Sequence, residues 1–458
     1  MFAFWWVVLL CLAIGLSAFG CADDDDDDDN DDAGATDDDD NDDDDNNDND
    51  DTTGQWEPVD SHRESYQGWS IVWLAGTPYE MGYQQGELLH EELAAGVDWL
   101  NQYHLLDLFL PLARLLGLVD LAYENSYPDL IQECQGLADA ASDAGWTAEL
   151  CLLLNTGDML VEFLTEGFPP ARAMAPGCTE IAVSGEATTD GRLYHARALD
   201  WSKIDFLIDY PIIFVRQPSD GIPHAFIGFP ANLSPYSGIN AAGISVASNE
   251  ADPIDNTVHD RVGRSHVQMQ AQILKNASTL EEARDFVLDQ DHMTVELIIV
   301  TDGNTGEAEV FEMTATAIGV RPLEDGVVMA TNHFIAPETE DLDIEPVGDS
   351  SRRRLTRAQE LCAPDGPYYG AFDPAALIEV MRDRVNPDTG IEGPVVFDND
   401  SSIATNGALY QIVFSPADLC FWVAAGKLPV PQQPFVGFSL GELLGLPDAV
   451  VIDPPIYP

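Results

Sequence analysis

The stretch Pro176-Gly177-Cys178-Thr179-Glu180-Ile181-Ala182-Val183-Ser184-Gly185-Glu186-Ala187-Thr188-Thr189-Asp190-Gly191-Arg192-Leu193-Tyr194-His195-Ala196-Arg197-Ala198-Leu199-Asp200-Trp201-Ser202-Lys203 decides how the chain reads. Cys178 follows a glycine and opens a β-prone run from Thr179 to Val183. The turn signal Thr188, Asp190, Gly191 leads into a second such run, which ends with Arg197 and Asp200. The pattern predicts a β-hairpin with a thiol at one tip and an Arg/Asp pair returned beside it. A thiol can act as a nucleophile, an Arg and an Asp can orient it, and Gly177 leaves the preceding peptide bond open to attack. The competing reading is a buried structural cysteine, the commoner fate of this residue type.

Working outward, the sequence before the hairpin reads as helical. After a strand over 69–74, Thr77 with Glu80 forms a capping box and Pro78 takes the first helical position. Gly82 and Gly86 fall on one face of that helix and predict close approach by another element, and the helical pattern continues towards Leu110. A second helix over 128–144 carries Leu130, Ile131, Cys134, Leu137, Ala138 and Ala141 on one stripe, which places Cys134 in the core. Residues 55–177 are therefore expected to form a mainly helical segment.

Beyond the hairpin, extended runs over 211–217 and 224–229 precede a strand–turn–strand unit at 238–249. Helices follow over 265–276 and 279–288, the latter with Ser278 and Glu281 as its cap. A hairpin over 295–313, a strand over 326–331 running into Asn332, a basic helix over 352–361 and a last hairpin over 406–425 lead to a Pro-rich tail from 436. Antiparallel hairpins alternating with helices predict an α+β fold with sheets packed between helices. The expected core spans 178–435.

The N-terminus is of another kind. Residues 1–20 are strongly apolar and read as a signal peptide, and Cys21 at its end resembles the lipid-modified cysteine of bacterial lipoproteins. No Lys or Arg precedes the apolar run, and Ala18-Phe19-Gly20 lacks the usual leucine. Residues 21–54 are nearly all Asp and Asn, a composition that predicts a disordered tether extended by self-repulsion. The tract lacks the spaced glycine and glutamate of a calcium-binding loop. These features predict an extracytoplasmic protein, either a membrane-anchored bacterial lipoprotein that meets the membrane only through its lipid or a secreted protein. An uncleaved anchor and a plain signal peptide are the other readings of the leader.

The chain carries 81 acidic residues against 19 basic, a net charge of −62 over 458 residues. Such a balance argues against nucleic acid and anionic membrane surfaces as partners, because both would repel it. Seven cysteines show no C-x-x-C spacing, which argues against a zinc cluster. With Cys11 and Cys21 set aside, Cys134, Cys151, Cys178, Cys362 and Cys420 leave an odd thiol over, and the pairing among them stays open.

Gly177-Cys178-Thr179, then Arg197-Ala198-Leu199-Asp200-Trp201, Gly238-Ile239-Asn240 to Asn249, and Thr331-Asn332-His333 together resemble the penicillin acyltransferase family of autoproteolytic cysteine peptidases. These are relatives of the choloylglycine hydrolases among the N-terminal-nucleophile hydrolases. The resemblance implies a four-layer αββα sandwich and self-cleavage of the Gly177–Cys178 bond. It implies that Cys178 is the nucleophile, that Asp200 holds its freed amino group and that Arg197 orients it. Asn249 and Asn332 match the family's asparagines at the oxyanion and amino-group positions. Arg354 matches its distal arginine, with Arg357 as the other register. A small N-acyl substrate is implied, and neither cofactor nor metal.

Two alternatives remain open at this level: a non-catalytic surface lipoprotein with the same fold, and a phospholipase-like ester hydrolase. A papain-like site using His195 or His333 as base finds no support in the sequence around Cys178.

Overall fold

Helix α1 (Pro78–Leu88) starts where its cap predicts. The Thr77 side chain accepts the Glu80 N–H, the Glu80 carboxylate accepts the Thr77 N–H at 2.8 Å, and Pro78 opens the first turn. The structure, a computed structural model, describes residues 60–103, 105–156, 177–201, 203–254, 256–343, 347–395, 402–404 and 407–458. The apolar leader, Cys21 and the acidic tract lie outside the described residues, as do 157–176.

The two glycines of α1 do what their spacing suggests. A Cβ on Gly82 would overlap the Glu133 carbonyl, and one on Gly86 would press on Ala140 and Leu137. Both neighbours belong to α5 (Pro128–Ala140), whose own Gly136 rests on the Tyr79 carbonyl. The helices thus meet backbone to backbone. The single helix expected to run towards Leu110 is instead broken into α2 (His90–Gln102) and α3 (Leu105–Leu115), followed by α4 (Leu118–Asn125). The first break falls at Leu89, which is fully buried at the bend with φ −117° and ψ 21°. The α5 helix stops at Ala140, and a 3-10 turn at Ser142–Ala144 ends on Gly145 at φ 91°. Cys134 is in the core and is disulfide-bonded to Cys151 of α6 (Ala148–Leu154).

Residues 60–156 also supply β1 (His62–Tyr66) and β2 (Trp69–Gly76). The remaining strands are β3 (Thr179–Gly185), β4 (Gly191–Asp200), β5 (Ile212–Pro218), β6 (His224–Gly228), β7 (Ser237–Asn240), β8 (Ile244–Glu250), β9 (Glu296–Asp302), β10 (Glu307–Met313), β11 (Ile318–Pro322) and β12 (Val327–Ala330). Then come β13 (Val385–Asn386), β14 (Ile391–Glu392), β15 (Ala408–Ser415), β16 (Cys420–Ala425), β17 (Phe435–Ser439) and β18 (Ile456–Tyr457). A nine-stranded sheet has the order β1-β2-β5-β6-β7-β8-β9-β10-β11, and a seven-stranded sheet the order β12-β3-β4-β15-β16-β17-β18. The Pro-rich tail therefore extends the second sheet rather than trailing from it. Among the described strand pairs, β2–β5 alone is parallel.

Further helices are α7 (Asp205–Asp209), α8 (His266–Asn276), α9 (Leu280–Leu288), α10 (Asp349–Cys362), α11 (Pro374–Met381) and α12 (Leu440–Leu443). The cap of α9 is Thr279, whose side chain accepts the Glu282 N–H, one position on from the Ser278 expected. Ser278 instead donates its backbone N–H to the Glu282 carboxylate.

Strand alternation sorts these elements into layers. Helices α1 to α6 bury their apolar stripes on Val72, Leu74, Ile212, Phe214 and Phe226, while α8 and α9 cover Val246, Ile298 and Val300 of the same sheet face. Between the sheets, Ile71, Ile213 and Ile239 meet Leu199, Ile412 and Phe421. On the far side, α10 and α11 cover Ile181, Val183, Ala196 and Val413. The result is the expected four-layer αββα sandwich. Among the described residues no helix is long and apolar enough to cross a membrane.

Candidate active site

Cys178 stands just ahead of β3 and turns its side chain into the space between the sheets, where it is 5% exposed. The hairpin register sets Thr179 opposite Ala198 and Glu180 opposite Arg197. Arg197 thereby shares the inner face with Cys178, and its Nη2 lies 3.6 Å from Sγ. The guanidinium is also held by three oxygen acceptors: its Nη1 donates to Tyr410 Oη at 2.7 Å and Ser237 Oγ at 3.3 Å, and Nη2 donates to the Ser248 carbonyl at 2.5 Å. Tyr410 comes from β15 and the serines from β7 and β8, so both sheets aim this one side chain.

The main chain of Cys178 is held just as closely. Its N–H donates to Asn332 Oδ1 at 2.7 Å, and its carbonyl accepts from Arg354 Nη1. Arg354 also donates to Thr179 Oγ1 at 3.1 Å and to Asn332 Oδ1 at 2.8 Å. Asn332 is set in turn by its Nδ2 on the Glu250 carbonyl at 2.7 Å and its N–H on Ser351 Oγ at 2.8 Å. Gly177 lies against the Arg354 guanidinium, where a Cβ would come within 3.0 to 3.2 Å of it. Any larger residue there would have to push the Arg354 guanidinium aside by a few tenths of an ångström.

The register question on α10 has a geometric answer. Arg354 is 1% exposed and reaches Cys178, whereas Arg357 pairs with Asp383 and Glu360 at 2.8 and 2.9 Å. Arg352 and Arg353 both pair with Asp388. Arg354→Ala is accordingly expected to lower kcat/KM roughly a hundredfold or more, the scale of one lost donor at a reacting centre. Arg357→Ala should leave kcat/KM within about twofold while losing up to about 1 kcal/mol of stability. Turnover and urea unfolding of the two variants check this.

Asn249 donates Nδ2 to the Thr331 carbonyl at 3.1 Å, beside Asn332, and its buried Oδ1 makes no hydrogen bond. Asp200, 1% exposed, directs its backbone N–H towards the Cys178 sulfur, while its carboxylate works against ionisation of the thiol. Burial is the main influence on that thiol and pushes its pKa up to about 11, against the opposing pull of Arg197 and Arg354. The thiol is therefore protonated near neutrality. The other free cysteines, Cys362 and Cys420, are pushed up to about 12, chiefly by burial, and have no guanidinium beside them.

Arg197, Asp200, Asn332 and Arg354 thus all reach Cys178, and Asn249 bonds the residue next to Asn332; Cys21 lies outside the described residues. His195 donates or accepts at Ser245 Oγ, 2.9 Å away, and burial drives it down to about 3, so it is neutral. His333 turns to Ser351 at 2.7 Å, and burial takes it down to about 4. Tyr410, Ser237, Glu180 and Ser351 were not visible as site residues in the sequence. Only the alternation of β15 and β3 hints that Tyr410 and Glu180 face inward. Among the described residues no group of His, Cys, Asp and Glu is arranged to hold a metal ion.

The thiol thus stands at a strand end between two stacked sheets, backed by helices on both sides. The profile of the acyl-coenzyme A:6-aminopenicillanic acid acyl-transferase family matches residues 188–428, just over half of the chain. The chain belongs to that family. The matched span holds Arg197, Asp200, Asn249, Asn332 and Arg354 and begins after Cys178. An uncharacterized protein of Archaeoglobus fulgidus is 24% identical over 398 residues, 79% of this chain and 64% of the relative's length.

Among solved structures, a Caenorhabditis elegans ortholog of N-acylethanolamine-hydrolyzing acid amidase is 19% identical, covering 52% of this chain and 93% of its own, with a TM-score of 0.37. Penicillin V acylase from Agrobacterium tumefaciens is 15% identical, with 57% and 86% covered and a TM-score of 0.36. A variant of the conjugated bile acid hydrolase from Clostridium perfringens is 13% identical, with 58% and 93% covered and a TM-score of 0.36.

Proposed function

We propose that the protein is a self-processing amidohydrolase or acyltransferase that works through a Cys178 thioester. The observation that carries this reading is the double hold on Cys178, with Arg197 at its sulfur and Asn332 and Arg354 on its main chain. In the first reaction the sulfur attacks the Gly177 carbonyl carbon. The C–S bond forms, the C–N bond breaks, and the thiol proton ends on the departing nitrogen. Water then cleaves the thioester, leaving a Gly177 carboxylate and a free Cys178 thiol.

The amino group so released would keep Asn332 Oδ1 as its acceptor. Its ordinary pKa of about 7.7–8.0 suits it to take the proton from its own thiol. An N-acyl substrate then replaces Gly177: sulfur attacks the acyl carbon, the amine leaves with a proton, and water or another amine accepts the acyl group. Each asparagine amide has a second N–H to offer the oxyanion after its first bond, to Thr331 or to Glu250. The substrate class is a small amide with a linear C–N bond, and export with lipid attachment at Cys21 would place the reaction outside the cytoplasm.

The test is intact mass with N-terminal sequencing of the purified protein, followed by turnover of a panel of chromogenic N-acyl amides. Two fragments, the second beginning at Cys178, with amide turnover are the expected result. An unbroken chain of full activity would overturn the reading.

A further inference from the structure

Glu180 is a carboxyl in the buried space between the two sheets. It sits between Cys178 and Ala182 on the inner face of β3 and is wholly buried between the sheets. A buried carboxylate is costly unless a cation and hydrogen bonds compensate it. The groups facing Glu180 can be named strand by strand. Arg197 is its register partner on β4, with Nε 3.7 Å from Oε1, a distance too long for a hydrogen bond. Nε itself makes none. His195, two positions away on the same face of β4, is neutral. On the other side β12 presents Ala330, which has no ionisable group. From β9 in the facing sheet the Ile299 N–H favours the charged form.

The Arg197 guanidinium therefore stands between two acids, the Cys178 thiol at Nη2 and the Glu180 carboxyl at Nε. We infer that Glu180 is a positioning residue that sets how much of the Arg197 charge the Cys178 sulfur receives. As a neutral acid it leaves that charge to the sulfur; as a carboxylate it competes for it. Burial, outweighing Arg197, pushes the Glu180 pKa up to about 8, so the change falls where the enzyme can meet it. As pH rises, Glu180 loses its proton, a negative charge appears on the face that Cys178 shares, and the thiol becomes harder to ionise. The rate then falls on the alkaline side, while loss of the proton from the Cys178 amine governs the rise on the acid side.

This inference rests on Cys178 as the nucleophile. It is tested by Glu180→Gln, which keeps the shape and removes the titration. The readouts are kcat/KM and the rate of Cys178 alkylation by iodoacetamide, from about pH 6 to about pH 10. The variant is expected to keep the acid limb and lose the alkaline fall, exceeding wild type roughly tenfold at the top of the range. That is the effect of about one pKa unit at the thiol. Superimposable profiles for variant and wild type, with Cys178→Ala inactive, overturn the inference and leave the nucleophile reading standing. Activity that survives Cys178→Ala overturns the nucleophile reading itself. Should Glu180→Gln not fold, Glu180→Asp serves: a shifted alkaline midpoint supports the inference, and an unmoved one overturns it.

Discussion

Cys178→Ala is expected to yield a single chain of full mass with amide turnover at background, a loss of at least about 10⁴-fold. If both proposed reactions use the Cys178 sulfur, one substitution should abolish both. The fold should survive it. Alanine keeps the N–H that Asn332 accepts and the carbonyl that Arg354 holds, and these are main-chain contacts. The lost sulfur leaves Arg197 with three other acceptors. Unfolding in urea should therefore shift little while mass and activity change completely. Cys362→Ala and Cys420→Ala are the controls; their thiols are buried without a cation, and both variants should still be cleaved.

The largest effect on stability is expected from Arg216→Met. Arg216 of β5 binds Glu133 of α5 and donates to the Leu233 carbonyl at 2.8 Å, and both members of the pair are buried. Removing the cation leaves Glu133 in the interior alone, which typically costs about 3–5 kcal/mol. The sign with pH follows from Glu133 itself, which burial pushes up to about 7 even with Arg216 present. A carboxyl raised above its ordinary pKa supports the fold while protonated and withdraws that support as pH rises through the folded value. Without Arg216 the folded value climbs further. The deficit measured by urea unfolding should thus be smaller at about pH 5 than at about pH 8. Adding Glu133→Gln should recover part of it, because no charge is then left uncompensated.

Local signals in the sequence carried much of the architecture. A capping box at Thr77, glycines at helical spacing and turn residues at Asp190 and Gly191 act over a few residues, and each appears in the fold as read. The site was legible where a chain segment carries it alone, as with Cys178 and the returning Arg197. Whatever depends on two segments meeting was not. Arg354 and Arg357 lie on one helix, and only the packing of α10 against β3 and β12 shows which one turns inward. Tyr410 and Ser237 bond to Arg197 because the sheets stack face to face, a relation no spacing encodes. The Cys134–Cys151 bond likewise needs the turn between α5 and α6 to bring the sulfurs together.

The parallel seam of β2 on β5 has a consequence for timing. It pairs Ser70 with Ile212 through Gly76 with Pro218, segments on either side of Gly177–Cys178. The groups that hold Cys178 arrive later still, Asn332 and Arg354 lying 154 and 176 positions along the chain. Contacts so distant form late in folding. If the bond is cut as proposed, the cut is a chemical time-stamp, written once and only after the whole molecule has closed. Precursor left uncut would then count the molecules that never finished, and the two halves of a cut one would stay zipped along a seam that no longer needs the link.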